Sequence, residues 1–312
     1  MPWPLIRLLP RAFHIDFVRL APAAAVLSAL LVLGSIGSFV ANGLNFGIDF
    51  VGGTAIEVRT KGPVPLGDLR AAVPAAGGHD AQVQGFGRPD TAIVRFRTEG
   101  NAFQSAERVK QNLAAKFPGM EFKPPVVVGP KVSGELMSGG FMALAIALAL
   151  MLAYIWFRFQ LQFGLGAVAA VFHDIVLTLG LLSITQIEFS MTSIAALLTV
   201  IGYSMNEKVI TFDRLRENLR KYKTTPLRDV INKSENERLS RTLITGSTAI
   251  LALAGAMFLG GPVLFPLVFT MVFGIIIGTY SSVYVALPII LLWGVKRNDD
   301  PAEPLRPATV RP

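Results

Sequence analysis

Six apolar runs long enough to cross a bilayer, one polar stretch between the first two, and a low charge content predict an α-helical membrane protein carrying a single water-exposed α+β domain. The 312-residue chain is 52% hydrophobic and 16% charged, with mean hydropathy +0.52, whereas soluble domains carry about 25% charged residues. Zero cysteines exclude disulfides, thiolate metal sites and a cysteine nucleophile, and three histidines leave little for a histidine metal cluster. The net charge of +8 is compatible with nucleic acid. Its distribution instead favours basic flanks on the cytoplasmic side of membrane helices, so no nucleic-acid partner is expected.

A spanning helix needs about 20 mostly apolar residues, and the segments 20–42, 137–157, 163–186, 190–212, 242–260 and 265–293 satisfy this. The run from Leu20 to Ile48 is uncharged and exceeds the roughly 7 to 15 residues of a signal-peptide core, so it reads as a retained helix. The expected organisation is a cytoplasmic segment 1–19, transmembrane helix 1 over 20–44, a periplasmic domain 45–134, helices 2–6 within 135–295 with a cytoplasmic loop 213–241, and a Pro-rich cytoplasmic tail 296–312. Orientation follows from the short connections. The stretch from Asp213 to Arg241 is rich in Lys and Arg, as are the two ends of the chain (Arg7, Arg11, Arg19; Lys296, Arg297, Arg306, Arg311), while Thr185–Ser190 and Leu259–Phe265 have none. Both termini are therefore expected in the cytoplasm and 45–134 outside, in a bacterial inner membrane.

Within 45–134, Ile56 and Val58 alternate with Glu57 and Arg59, as in a half-buried strand. A helix over 66–76, strands near 81–86 and 91–97 around a Gly-Arg-Pro-Asp turn, a helix over 102–117 and a last strand near 121–128 complete the order βαββαβ. That is the split, ferredoxin-like arrangement, which by itself assigns no chemistry.

Ionisable residues inside apolar segments are the informative ones, because each costs roughly 2.5 to 3.5 kcal/mol near a helix centre. His173 and Asp174 lie midway along the third segment, Asn206, Glu207 and Lys208 in the cytoplasmic half of the fourth, and Arg241 opens the fifth. Brought together, they form a buried cluster of both signs in which a carboxylate alternates between a paired charged state and a neutral protonated one. Milder assignments stand beside this. Arg241 and Lys208 reach the interface by snorkelling, or Asp174 accepts from His173 or from Thr178 one turn on, or Asp213, Arg214, Arg216 and Glu217 form a solvated helix end. Gly274 and Gly278 make a GxxxG step, and Gly164, Gly166, Ala169, Ala170, Ser281 and Ser282 add small faces for close helix contact. No GxxxxGK[ST] occurs, so ATP hydrolysis is not expected.

Several stretches resemble the SecF family. Phe46-Gly-Ile-Asp-Phe-Val-Gly-Gly-Thr54, with Gly47, Asp49, Gly52 and Gly53, is similar to the signature after the first helix of SecD and SecF proteins. Val128–Leu136, His173-Asp174, Ile201–Glu207, Asp213–Asn218, Arg241–Thr245 and Gly260–Pro262 follow in family order. The resemblance implies an RND-type fold, pairing with SecD to give twelve helices, and a non-enzymatic, cofactor-free role beside the SecYEG translocon. There the proton motive force, or sodium in some members, assists late movement of preproteins, with YajC and membrane lipid as further contacts. It places ion coupling on Glu207 and Arg241, and the buried cluster read from the apolar segments adds His173, Asp174 and Asn206 to the expected relay. Family members usually have Asp followed by a small hydroxyl residue, whereas this chain has Glu207 and Lys208. Lys208 is thus either a modulator paired with the carboxylate or, at about 100° around the helix, directed elsewhere. The competing expectations are a non-conducting scaffold of the translocon assembly and half of an RND-type small-molecule exporter, the latter disfavoured by the small outer domain.

Overall fold

The computed structural model describes residues 13–97 and 101–295; the readings for 1–12 and for the tail from 296 lie outside these residues. The elements are α1 (Phe17–Asn42), α2 (Ile48–Val51), β1 (Gly53–Arg59), α3 (Leu66–Ala75), β2 (His79–Phe86), β3 (Arg88–Arg97), α4 (Ala102–Lys116), β4 (Glu121–Phe122), β5 (Val126–Val128), α5 (Pro130–Arg158), α6 (Leu161–Thr185), α7 (Met191–Lys221), α8 (Leu227–Leu259), α9 (Gly261–Ser281), a π turn (Ser282–Ala286) and α10 (Leu287–Trp293).

Five helical stretches among the described residues are long and apolar enough to cross a membrane: α1, α5, α6, α8, and Leu264–Trp293 through α9, the π turn and α10. Their burial sorts them into layers. About half of the apolar stretch is buried within the protein in α6 (56%) and in the last span (50%), against 6% in α1 and 11% in α5 and α8. The outer helices therefore present Leu30, Leu33, Val40, Leu150, Phe157 and Leu251 outward, a surface stable only in an apolar solvent. α7, expected to span over 190–212, is a 31-residue helix whose charged residues keep it out of the apolar set.

The helices run longer than the apolar windows. Asp16 caps α1 by accepting from Arg19 N, and α1 ends at Gly43 with φ +64, a conformation that favours glycine. The stretch 213–241, expected as a loop, is helical apart from 222–226. Its charged residues pair along and between α7 and α8, Arg214 with Glu217 (2.5 Å) and Glu237 (2.7 Å), so it has no need of irregular backbone to stay solvated. The glycines of the GxxxG step seat α7: a methyl at Gly274 would lie 2.8 Å from Val200 Cβ, and one at Gly278 would lie 3.1 Å from Ser204 Cα.

In the polar stretch, β1 pairs antiparallel with β3 (Thr54↔Phe96 to Arg59↔Thr91), β3 with β2, and both β4 and β5 with β1. The order is β2-β3-β1-β4 with β5 beside β1. Ile56, Val58, Val94 and Phe96 on one sheet face pack against Leu69 and Val73 of α3 and Val109 and Leu113 of α4. Two details differ from expectation. The last strand is broken into β4 and β5 around 123–125, where Pro124 and Pro125 supply no N–H to the ladder. The Gly-Arg-Pro-Asp turn contracts to Gly87 (φ +72), and β3 begins at Arg88 behind a register shift at Gly85/Phe86. The short α2 was not expected either; at four residues it is below the length that periodicity can detect.

Candidate functional site: a buried charge cluster and a joint to the outer domain

α6, α7, α8 and the last span bring ionisable side chains together where protein covers them on every side. Asp174 on α6 is 1% exposed. Its Oδ2 accepts from Lys208 Nζ (3.0 Å), from Ser281 Oγ (2.7 Å) and from Ser204 Oγ, and its Oδ1 lies 3.1 Å from His173 Nδ1. Lys208 is 0% exposed and donates also to Ser281 Oγ (3.0 Å) and to Ser204. Neither snorkelling nor a primary pairing with Glu207 describes it. One turn separates Ser204 from Lys208, so both face α6 and hold the same carboxylate oxygen. Thr178 donates to the backbone carbonyl of Asp174 (2.7 Å), not to its carboxylate. The His173 ring stacks on Tyr280, centroids 6.2 Å apart.

A second half adjoins the first. Glu207, 1% exposed, accepts at Oε2 from Thr242 Oγ1 (3.2 Å) and from Arg238 Nη1 (3.4 Å). Arg238 in turn holds Glu235, one turn back on α8, through Nε (2.8 Å to each oxygen) and Nη2 (2.6 Å), and donates to Thr242 (2.8 Å) and Ser282 (3.1 Å). The cluster thus holds three carboxylates and two basic side chains.

Of the residues singled out in the sequence, His173, Asp174, Glu207 and Lys208 come together. Asn206 and Arg241 do not: both are exposed, on the outer faces of α7 and α8, and Arg241 forms no ion pair among the described residues. Sequence reasoning missed Arg238 and Glu235 because the fifth helix was started at 242, leaving them in a loop. A helical reading back to 227 would have placed Glu235, Arg238 and Thr242 at i, i+3 and i+7, on one face. Ser281 and Ser282, expected as packing surface, are hydrogen-bond donors of the site.

The glycine-rich signature forms a separate joint. Gly47 N donates to Phe189 O (2.9 Å) and Phe189 N to Asn45 O (2.7 Å), and Asp49 Oδ2 accepts from Met191 N (3.0 Å), capping the first turn of α7. Phe46, Phe50 and Phe189 pack with ring centroids 5.5 to 6.1 Å apart. Gly52 (φ +68) ends α2, and Gly53 (φ +118) starts β1 against the Phe96 carbonyl, 3.1 Å from where a Cβ would lie. The joint reaches the sheet through Arg95 paired with Glu188, and through Asn45, which donates to Gln84 (3.1 Å) and to Gln186 O (2.9 Å). Burial pushes the Glu188 carboxyl above the ordinary range, with Asp49 adding to the shift and Arg95 opposing it. Clefts of about 460 and 230 Å³ flank Arg95, between sheet and helices.

Buried ion pairs inside an apolar helical assembly, tied by a glycine signature to a small antiparallel sheet, define a helical membrane protein with a charged site in its interior. The family described as "Protein export membrane protein SecD/SecF, C-terminal" matches residues 108–296, and the SecD/SecF GG motif matches 37–64. The chain is 43% identical over 304 residues to the protein translocase subunit SecF of Cereibacter sphaeroides, covering 94% of each, and 42% identical to that of Rhodobacter capsulatus, covering 96% of this chain and 95% of the relative. It also resembles the crystal structure of SecDF, a translocon-associated membrane protein from Thermus thermophilus, with TM-score 0.82 and 33% identity over 92% of this chain. It spans 39% of that longer protein. The chain belongs to the SecF family of protein translocase subunits. It is accordingly a multi-pass protein of the bacterial inner membrane with an accessory role in Sec-dependent translocation.

Proposed function

We propose that this chain pairs with SecD and uses the proton motive force to assist late preprotein movement at the SecYEG translocon, with YajC as a further neighbour. The carrying observation is the cluster around Asp174 and Glu207, buried yet one cation short of its carboxylates. Such a site takes up a proton more readily than it holds a naked charge. α7 carries Ser204, Glu207 and Lys208 in its interior and, at its first turn, the backbone N–H that Asp49 caps. Rearrangement at the cluster is thereby transmitted along one rigid helix to the joint and the outer domain, which holds or releases an emerging chain. One charge crossing 100 mV supplies roughly 2.3 kcal/mol, more than a tenfold bias on a two-state equilibrium.

In this reading α7 is the sixth span. Its 31 residues cover about 46 Å, and partners within the protein offset its buried charges. Both termini lie in the cytoplasm, and the βαββαβ sheet is a ferredoxin-like periplasmic domain whose last strand is broken in two. The exposed Asn206 and Arg241 face SecD, since an arginine facing lipid at that depth costs several kcal/mol. Arg241 keeps its coupling role there as a residue shared with the partner. The fully buried Lys208 on Asp174 favours one alternative, a translocon scaffold in which that carboxylate never gives up its charge.

The test is preprotein export in inner-membrane vesicles with an imposed proton gradient, comparing Glu207→Gln, Glu207→Asp and Arg241→Met in the presence of SecD. Loss of the gradient-dependent gain in Gln and Met with retention in Asp supports the reading. Equal export by all variants leaves the scaffold.

A further inference from the structure

The proton-coupling reading leaves open which groups share the proton, and Arg241 lies outside the cluster. The guanidinium inside is that of Arg238, and it faces two carboxylates. Lys208 lies within electrostatic reach of Glu207, but its ammonium donates its hydrogen bonds to Asp174, Ser204 and Ser281 on the α6 side. Among the described residues, Tyr203 of α7 and Tyr284 of the π turn also face the pair, and His173 lies on Asp174. The two tyrosines are neutral and the histidine is held on Asp174, so none adds a cation at the glutamates.

The two carboxylates hold Arg238 unequally. Glu235 takes Nε and Nη2 in a fork at 2.6 to 2.8 Å, the strong bidentate geometry. Glu207 has one contact at 3.4 Å and a shared hydroxyl, Thr242, that accepts from Arg238 and donates to Glu207. Adding a proton to Glu207 leaves every Arg238 nitrogen satisfied, by Glu235, Thr242 and Ser282. Adding it to Glu235 breaks the fork.

We propose that Glu207 and Glu235 form a one-proton site around a shared Arg238, in which Glu235 anchors the guanidinium and Glu207 gives up and takes the proton. The step is a plain proton transfer. The O–H bond at Glu207 breaks, the proton leaves to water, and the remaining negative charge is met by Arg238 Nη1; no co-reactant is required. Arg238 and Glu235 are thus positioning residues for the proposed coupling reaction, and the proposal rests on that reading only for its consequence in export, not for the proton site itself.

The test is infrared difference spectroscopy of the protonated-carboxyl stretch during pH titration of the full chain with SecD in nanodiscs. The proposal expects a titrating band that Glu207→Gln abolishes. Glu235→Gln frees the guanidinium for Glu207 and moves the midpoint to acid by roughly one to three pH units, the effect of an arginine on a nearby carboxylate. Arg238→Lys keeps the charge but loses the fork, and moves the midpoint by less. A band that survives Glu207→Gln, or a midpoint unchanged in Glu235→Gln, overturns the proposal. If the band behaves as stated while Glu207→Gln exports normally, the proton site stands and the export reading fails. If export is lost while the band survives, the export reading stands and the shared-proton site fails.

Discussion

Replacing Lys208 by Met removes the ammonium that contacts Asp174 while keeping a side chain of similar length, and its cost follows from the contacts it breaks. At 3.0 Å the two charges attract by about 5 to 6 kcal/mol at an effective dielectric of 20. Much of this is offset by the desolvation that burial of both groups has already cost. Deleting one partner of such a pair costs about 3 to 5 kcal/mol, because the other charge is left buried. Lys208→Met and Asp174→Asn should each destabilise the protein on that scale, while the double variant leaves neither charge buried without its partner and should be less damaging than the sum of the two by at least about 2 kcal/mol. Reversible unfolding in mixed micelles, run as a double-mutant cycle, reads this coupling directly. Additive singles, or a mild Lys208→Met, would mean that Lys208 does not neutralise Asp174.

Three further outcomes are expected. Gly180→Ala places a methyl 2.8 Å from Ser35 Cα, so α1 and α6 must separate, at roughly 1 to 3 kcal/mol; cross-linking between the two helices should weaken with thermal stability. Asp49→Ala removes the acceptor of Met191 N at the first turn of α7, beside the Ser190–Ser193 capping box, and should cost about 0.5 to 2 kcal/mol, seen as faster amide exchange at Met191, whereas Asp49→Asn retains the acceptor and should exchange slowly. Burial raises the Glu188 carboxyl in the closed joint, so closing takes up a proton. The stabilisation it gives is full below the carboxyl's ordinary range, near pH 4, and fades as the pH rises through the elevated value. Glu188→Gln should remove that dependence from the proteolytic resistance of the connection between sheet and helices.

The sequence made the architecture legible where a physical pattern repeats often enough to be counted. Apolar runs located the helices, and the alternation of Ile56 and Val58 with Glu57 and Arg59 located a central strand and its buried face. It failed where charge sits inside a helix. Hydropathy cannot separate a solvated loop from a helix whose charges pair with neighbours, so 227–241 was read as loop, and Glu235 and Arg238 vanished with it. The same blindness touches Lys208. An ammonium next to a carboxylate in sequence suggests a pair, yet the 100° step of the helix turns it toward Asp174. Asp49 was legible as part of a signature, but not as the cap of α7, since 142 residues separate it from Met191 and only the fold joins them.

The central claim is that a proton at the cluster moves the outer domain through α7. The absence of cysteine makes Lys116→Cys on α4 and Leu259→Cys at the end of α8, both exposed, a unique pair for spin labels. Their distance distribution, measured in proteoliposomes containing SecD with and without a proton gradient, should shift with the gradient in the wild-type background and stay fixed with Glu207→Gln. A distribution that ignores the gradient, or one that shifts equally in both backgrounds, would contradict the account.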